Sequence, residues 1–161
     1  MEAFFVVIRI GLECIAAFFA TAAFCVLFNA PKKQWGFGGL TGAVGWGFYR
    51  GFALGAGIVA GTFISALMIM LMARVLAVIR RAPVTVFLVS GIIPIVPGVG
   101  IYYTSYYLIM NELSMASAKG METLKLSVAI CLGIMCVLLI PQKVFWKLGR
   151  WWNIASVQCK S

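Results

Sequence analysis

Residues 91–110 read GIIPIVPGVGIYYTSYYLIM, and the reading of that stretch decides the fold. It is apolar enough to lie in lipid, yet Pro94, Pro97, Gly98 and Gly100 stand near its middle, and Tyr102, Tyr103, Tyr106 and Tyr107 follow at once. Proline lacks an amide donor and clashes with the preceding turn, while glycine lets the backbone bend or be approached closely, so a straight helix is not expected. In hydrocarbon, such a break survives where protein or a water-filled cavity covers the freed backbone groups. The stretch is therefore the first candidate for a ligand path.

The composition places it in lipid. Of 161 residues, 63% are hydrophobic and 11% charged, too little polar surface for a soluble domain of this size. Several apolar runs approach the roughly 20 residues of a spanning helix. The first run is followed by others and lacks a small-residue cleavage site, which predicts a retained span rather than a removable signal. The net charge of +9 is dispersed at the ends of apolar runs, which fits orientation signals and gives no nucleic-acid surface. Cys14, Cys25, Cys131 and Cys136 lie in apolar segments and Cys159 in the tail, without CxxC or metal-ligand spacing, so they read as packing residues. The chain has no histidine, which excludes histidine-based nucleophiles and histidine metal ligation within the subunit. No catalytic set, metal cluster, cofactor motif or ATP-binding motif is recognisable.

Outward from the break, the fold class is an all-α polytopic membrane protein with about five transmembrane helices, one interrupted by Pro and Gly. The predicted spans are 4–28, 35–49, 52–73, 84–110 and 123–140, in a single integral membrane module with a basic tail over 142–161. Uninterrupted, the fourth would be about 40 Å long, too long without tilt or a break. The second is short, about 22 Å against roughly 30 Å of hydrocarbon, and four spans result if it fails to cross. Arg50 separates the second from the third, Arg74 closes the third, Pro83 opens the fourth, 111–122 is a polar connection, and Pro141 ends the fifth. Gly38, Gly42 and Gly45, then Gly47, Gly51 and Gly55, then Gly57 and Gly61 carry small-residue spacing suited to close helix packing, with substrate approach as the other reading.

Five spans put Lys32, Lys33, Arg74, Arg80, Arg81, Lys143, Lys147, Arg150 and Lys160 on one side, against Arg50, Lys119 and Lys125 on the other. The excess of positive charge predicts an external N-terminus and a cytoplasmic C-terminus in the cell's inner or plasma membrane, with Trp146, Trp151 and Trp152 at headgroup level.

Polar residues on these spans are the site candidates. Arg9 and Glu13 lie at i and i+4 within the first span, one helix face, and an intramembrane acid is a functional candidate, with an interfacial ion pair as the plainer reading. Asn29 either ends a helix or contacts the path. A helix restarting after Pro97–Gly98 would offer unpaired N–H groups to a carboxylate. Tyr102 is the preferred polar contact there, with Tyr103 and Tyr106 beside it; an aromatic belt or a packing kink is the alternative.

The strings FNAP at 28–31, GLTGAVGWG at 39–47, AGT at 60–62 and IPIVPGVGIY at 93–102 together resemble the threonine/serine exporter family, in its C-terminal membrane module and related small standalone subunits. The resemblance covers most of the chain and implies a half-transporter exporting small hydrophilic metabolites, such as threonine, serine or a small dicarboxylate like succinate. It also implies a separate membrane subunit resembling the N-terminal module, and allows a higher oligomer. Mapped onto this chain, the motifs select Asn29, Pro31, Gly42, Gly45, Gly61, Pro94, Pro97, Gly98 and Tyr102; Trp46 stands where a related small subunit has a more polar side chain. Alternating access around the broken helix would be the mechanism. The competing class is a non-transporting assembly or scaffold subunit; a membrane enzyme is a distant third.

Overall fold

The computed structural model describes residues 2–143 and 145, all helical or in turns among those residues. Six α-helices follow one another: α1 (Glu2–Leu27), α2 (Trp35–Ala56), α3 (Ile58–Arg80), α4 (Val84–Ile92), α5 (Gly98–Ile109) and α6 (Leu113–Leu138), with 3-10 turns at Lys32–Gln34 and Ile93–Ile95. Three of them, α1, α3 and α6, are long and apolar enough to cross a membrane, and α4–α5 makes a fourth if the bent pair is one span. The expected five is thus three or four by length and apolarity. At 22 residues, or about 33 Å, α2 is long enough, but its glycines and Arg50 dilute its apolar character. The expected tail residues Trp146, Lys147, Arg150, Trp151, Trp152, Cys159 and Lys160 lie outside the described residues.

Besides Arg74, which was expected to close the third span and which α3 instead passes through to end at Arg80, two boundaries differ from the sequence reading. Arg50 does not separate two spans: α2 runs through it to Ala56, and the chain turns at Gly57, whose φ of 90° and ψ of 164° suit a residue without a Cβ. The Ser65 hydroxyl donates to the Gly45 carbonyl at 2.6 Å, and a Cβ on Gly61 would stand 2.8 Å from the Tyr49 carbonyl and 2.9 Å from the Ala53 nitrogen. Partners converging from both sides of Gly57 make α2 and α3 an antiparallel pair in backbone contact. The second difference is the polar stretch 111–122, expected as a connection, which is helical from Leu113 onward. Its Met, Ala, Lys and Glu residues are good helix formers, and Lys119 pairs with Glu122 at 3.0 Å along the helix, so polarity there marks an exposed helix rather than a loop.

Three helices end alike. Asn29, Arg81 and Asn111 take φ of 55°, 51° and 59°, the left-handed conformation that closes a helix. After α1, the Asn29 and Ala30 amides donate to the Val26 and Cys25 carbonyls; after α5, Asn111 and Glu112 donate to Leu108 and Tyr107. These pairs form the Schellman motif, and Pro31 and Pro83 then prevent continuation.

The central element is α3, which contributes to all three clusters of the interior: Ala66 and Ile69 with Ile95 and Ile130, Met70 with Val137 and Phe145, Ala73 and Ala77 with Phe87. Its lower end is fastened by arginines. Arg74, 9% exposed, donates from Nη1 to the Val137 and Ile140 carbonyls, both at 2.7 Å, and its guanidinium lies 4.8 Å from the Phe145 ring centre. It neutralises the carbonyl end of α6, the negative pole of that helix. Arg80 donates to Gln34 Oε1 at 3.3 Å and to the Lys33 carbonyl at 3.2 Å, with its guanidinium over Phe37.

Between α1, α2 and α4 the seam is made of small residues. A Cβ on Gly38 would fall on Cys25 Sγ and one on Gly42 on the Thr21 hydroxyl, while one on Gly45 would fall on Ile69 of α3, outside this seam. Lipid is as apolar as the side chains, so helix association here rests on such close approach rather than on escape from water. A Cβ on Gly51 or Gly55 would meet nothing within 4 Å among the described residues, although their spacing suggested a close contact; one on Gly47 would come to ordinary distance, 3.5 Å, from Cys14 Sγ. The role of Gly57 is the turn, not packing.

This contrast is testable. Gly42→Ala places a methyl 2.7 Å from the branched Cβ of Thr21 and should destabilise the detergent-purified protein by about 1–3 kcal/mol. Gly51→Ala, in open space, should be neutral or stabilising by up to about 1 kcal/mol through helix propensity. Thermal melting of both variants checks the pair, and equal losses would contradict this packing.

Candidate functional site

An intramembrane carboxylate must find its counter-charge inside the bundle. Glu13 lies on α1 eight residues beyond Phe5, where the apolar span begins, about 12 Å along the axis. Arg9, one turn earlier, approaches Glu13 Oε1 with Nε at 3.4 Å but is 77% exposed at its side chain. The closer partner comes from α2: Arg50 Nε stands 2.8 Å from Glu13 Oε2, with the two side chains 29% and 26% exposed. One turn before Arg50, the Trp46 indole N–H donates to the same Oε2 at 3.1 Å. Trp46 and Arg50 are spaced i,i+4, so α2 presents both to one face of α1.

The sequence alone shows the local pair and not the one between helices, because an arginine between two apolar runs has the signature of a boundary charge. The available signal was the spacing of Trp46 and Arg50 together with a carboxylate deep enough in the first span to meet a partner on another helix. Although close, the Arg50 Nε–H is not aligned on Glu13 as a hydrogen bond. The contact is electrostatic, and Trp46 supplies the directional bond.

Trp46 also joins this cluster to the interrupted helix. Its ring packs, with Tyr49, against the interior group that includes Ile95, the last residue of the 3-10 turn between α4 and α5. Across that turn the two helices bend by 53°. Pro97 takes φ −77° and ψ 56°, near the inverse γ-turn, and the Gly98 amide donates to the Val96 carbonyl at 2.8 Å. The first amide of α5 with an acceptor one helical turn back is Ile101, bonded to the Pro97 carbonyl at 3.1 Å. Among the described residues, the Val99 and Gly100 amides have no backbone acceptor, and no side chain caps the helix. Gly98 is open, with nothing within 4 Å of a Cβ placed there, whereas a Cβ on Gly100 would fall on the Thr123 hydroxyl of α6. Pro94 sits inside the 3-10 turn, half-buried.

The tyrosines continue from this point but turn away from the subunit's interior. Tyr102 is 63% exposed, and Tyr103 and Tyr106 are exposed as well. Tyr102 stacks on Tyr106 with ring centres 6.4 Å apart and Tyr103 on Tyr107 at 6.1 Å, two stripes set edge-on to one another. No residue of α5 is buried, and α5 packs on α6 rather than on α1 or α2. The structure therefore brings Glu13, Arg50 and Trp46 together, with the Trp46 ring on the buried group that includes Ile95, and leaves Tyr102, Tyr103 and Tyr106 on a separate, exposed face. Asn29 belongs to neither group: it is an exposed helix-ending residue. Gly38, Gly42, Gly45 and Gly61 hold helices in contact, and no group of three or more acidic, cysteine or histidine side chains could hold a metal among the described residues.

The Trp46 bond can be isolated. Trp46→Phe keeps an aromatic ring against the buried group and removes the donor to Glu13. It should lower stability by about 1.5–3 kcal/mol, the range for a hydrogen bond to a charged group, read as a lower thermal midpoint with unchanged helical content.

Residues 13–140 match the model of a family described as Threonine/Serine exporter, ThrE. Comparison with curated proteins and with solved structures gives no match.

Proposed function

Because the chain belongs to the threonine/serine exporter family, ThrE, whose members are transporters and not enzymes, we propose that it is a membrane subunit of a secondary exporter of small hydrophilic metabolites. The cargo classes are hydroxy amino acids such as threonine and serine, or a small dicarboxylate such as succinate. The observation that carries this reading is the 53° break between α4 and α5, which leaves two backbone amides at the positive end of a helix within an apolar protein. Half-helix N-termini of this kind receive anionic groups of solutes in transporters with broken helices. Trp46 supports a functional link, because it donates to Glu13 and its ring packs on the buried group that includes Ile95 of the break.

A second membrane subunit, resembling the N-terminal module of the family, completes the carrier in this proposal. The uncovered tyrosine face of α5 supports it, since open amides and phenol groups need a polar partner to form a solute route. Small-residue positions at Gly51 and Gly55, open in this chain, offer further surface for that subunit or for a second copy. For topology we propose five crossings with α2 as the second, the N-terminus outside and the C-terminus in the cytoplasm. Lys32, Lys33, Arg80 and Arg81 then share the cytoplasmic side, and Arg50 leaves the external tally because Glu13 pairs with it inside the bundle. Solute binds at the break and is released on the other side as the two modules reorient.

Flux from loaded cells or proteoliposomes containing this chain and its partner tests the reading, with threonine, serine and succinate as cargo. Export of at least one is expected. Intact export by the partner alone, once its abundance is restored, would instead make this chain a scaffold. Gly98→Val gives a finer check: a side chain there has room, so assembly should be normal, while crowding of the Val99 and Gly100 amides should cut flux about tenfold, the value of one hydrogen bond to a charged group. Undiminished flux would remove the amides from the route.

A further inference from the structure

We propose that Arg50 receives a carboxylate of the transported solute, with Glu13 as the internal carboxylate that occupies it in the empty subunit. The proposal rests on the exporter reading and names the group that recognises the cargo.

Charge balance carries the argument. Among the described residues, Arg9 and Arg50 are both paired with Glu13 and with no other carboxylate, so two guanidinium groups share one negative charge. Arg9 stands four residues into the span with its side chain 77% exposed and Arg50 is 29% exposed, so the cluster carries one positive charge more than its carboxylate offsets. A single carboxylate entering the site brings the cluster to neutrality. Histidines are absent from the chain, and α4 and the 93–95 turn, which also pack near α1, bring no ionisable side chain to balance the cluster.

The geometry allows the exchange. Arg50 meets Glu13 as a close ion pair through Nε rather than through a two-bond fork, so a solute carboxylate that engages the guanidinium through two N–H bonds can replace it. Glu13 is not abandoned when it leaves: Trp46 still donates to Oε2, and Arg9 remains beside Oε1. Arg9 with Glu13 and Arg50 with the solute are then two complete pairs. Arginine suits this task because its planar fork engages a carboxylate through two parallel N–H bonds. A neutral isostere of the solute lacks the charge that the site is short of and is rejected.

The test uses the full chain in lipid nanodiscs with four probes: succinate, L-threonine, succinamide and L-threonine amide. Binding is read by thermal stabilisation and by Trp emission compared with Trp46→Phe, since displacement of Glu13 alters the surroundings of that indole. At least one carboxylate probe should bind and neither amide should. Succinate alone identifies a dicarboxylate cargo, L-threonine alone an amino acid, and both the shared carboxylate. Arg50→Gln should weaken binding about tenfold or more, as expected for loss of one member of a desolvated charge pair. Glu13→Gln should tighten it, because the competing carboxylate is gone. A structural role for the pair predicts the opposite sign for Glu13→Gln, so this variant decides the question even where Arg50→Gln fails to fold. Wild-type affinity in Arg50→Gln, equal binding of the amides, no binding of either carboxylate, or unchanged or weaker binding in Glu13→Gln would overturn the assignment. Flux by the assembled pair is scored separately. Export that persists undiminished in Arg50→Gln refutes this site and leaves the exporter standing, whereas carboxylate binding at Arg50 without wild-type export refutes the exporter.

Discussion

A carboxylate well inside an apolar helix has to be neutralised where it stands, and in this protein that requirement is met across helices. Glu13 is paired by Arg50 and Trp46 from α2, so the register between α1 and α2 is tied to the position of one charge. The same register sets Gly42 against Thr21 and Gly38 against Cys25, where a larger residue on α2 would force the helices apart. Charge and close approach thus specify one arrangement: moving α2 along α1 would lose both the ion pair and the fit of the seam.

Trp46 faces the carboxylate with its N–H and the interior with its ring, against the buried group that includes Ile95 at the end of the 3-10 turn. The ionic cluster and the break thus border the same buried group, and α4 and the 3-10 turn also pack on α1 and α2 directly. On the other side of the break the packing is different in kind. α5 lies against α6 at Gly100 and Thr123 and exposes its tyrosines, so α4 is embedded in the bundle while α5 has no buried residue.

Much of this was legible in the sequence where local chemistry decides it. Pro94, Pro97 and Gly98 announced the discontinuity because proline cannot continue the hydrogen-bond ladder, and Asn29 followed by Pro31 was readable as a helix end. What was not legible depended on partners distant in the chain. Arg50 looked like a boundary because charges belong at interfaces; only Glu13, thirty-seven residues earlier, makes it an interior residue. The turn at Gly57 was hidden among other glycines, since small-residue spacing does not say which position takes a positive φ and which meets a neighbour. The polar start of α6 read as a loop because polarity signals exposure, and an exposed helix shares that signal. Tyr102 was correctly placed one turn after the break, but the direction it faces depends on α6 packing behind it.

Arg74 gives the bundle a fixed end. Its buried guanidinium ties the last carbonyls of α6 to α3 while stacking near Phe145, and no comparable clasp joins those helices where Lys119 and Lys125 lie among the described residues. A tilt of α6 that kept both carbonyl bonds would have to pivot about this anchor, with displacement growing along the helix axis. The largest excursion would then fall at the far tip, where α6 receives the chain from α5, so a small rotation at the clasp would be levered into a wide swing of the tyrosine-bearing arm.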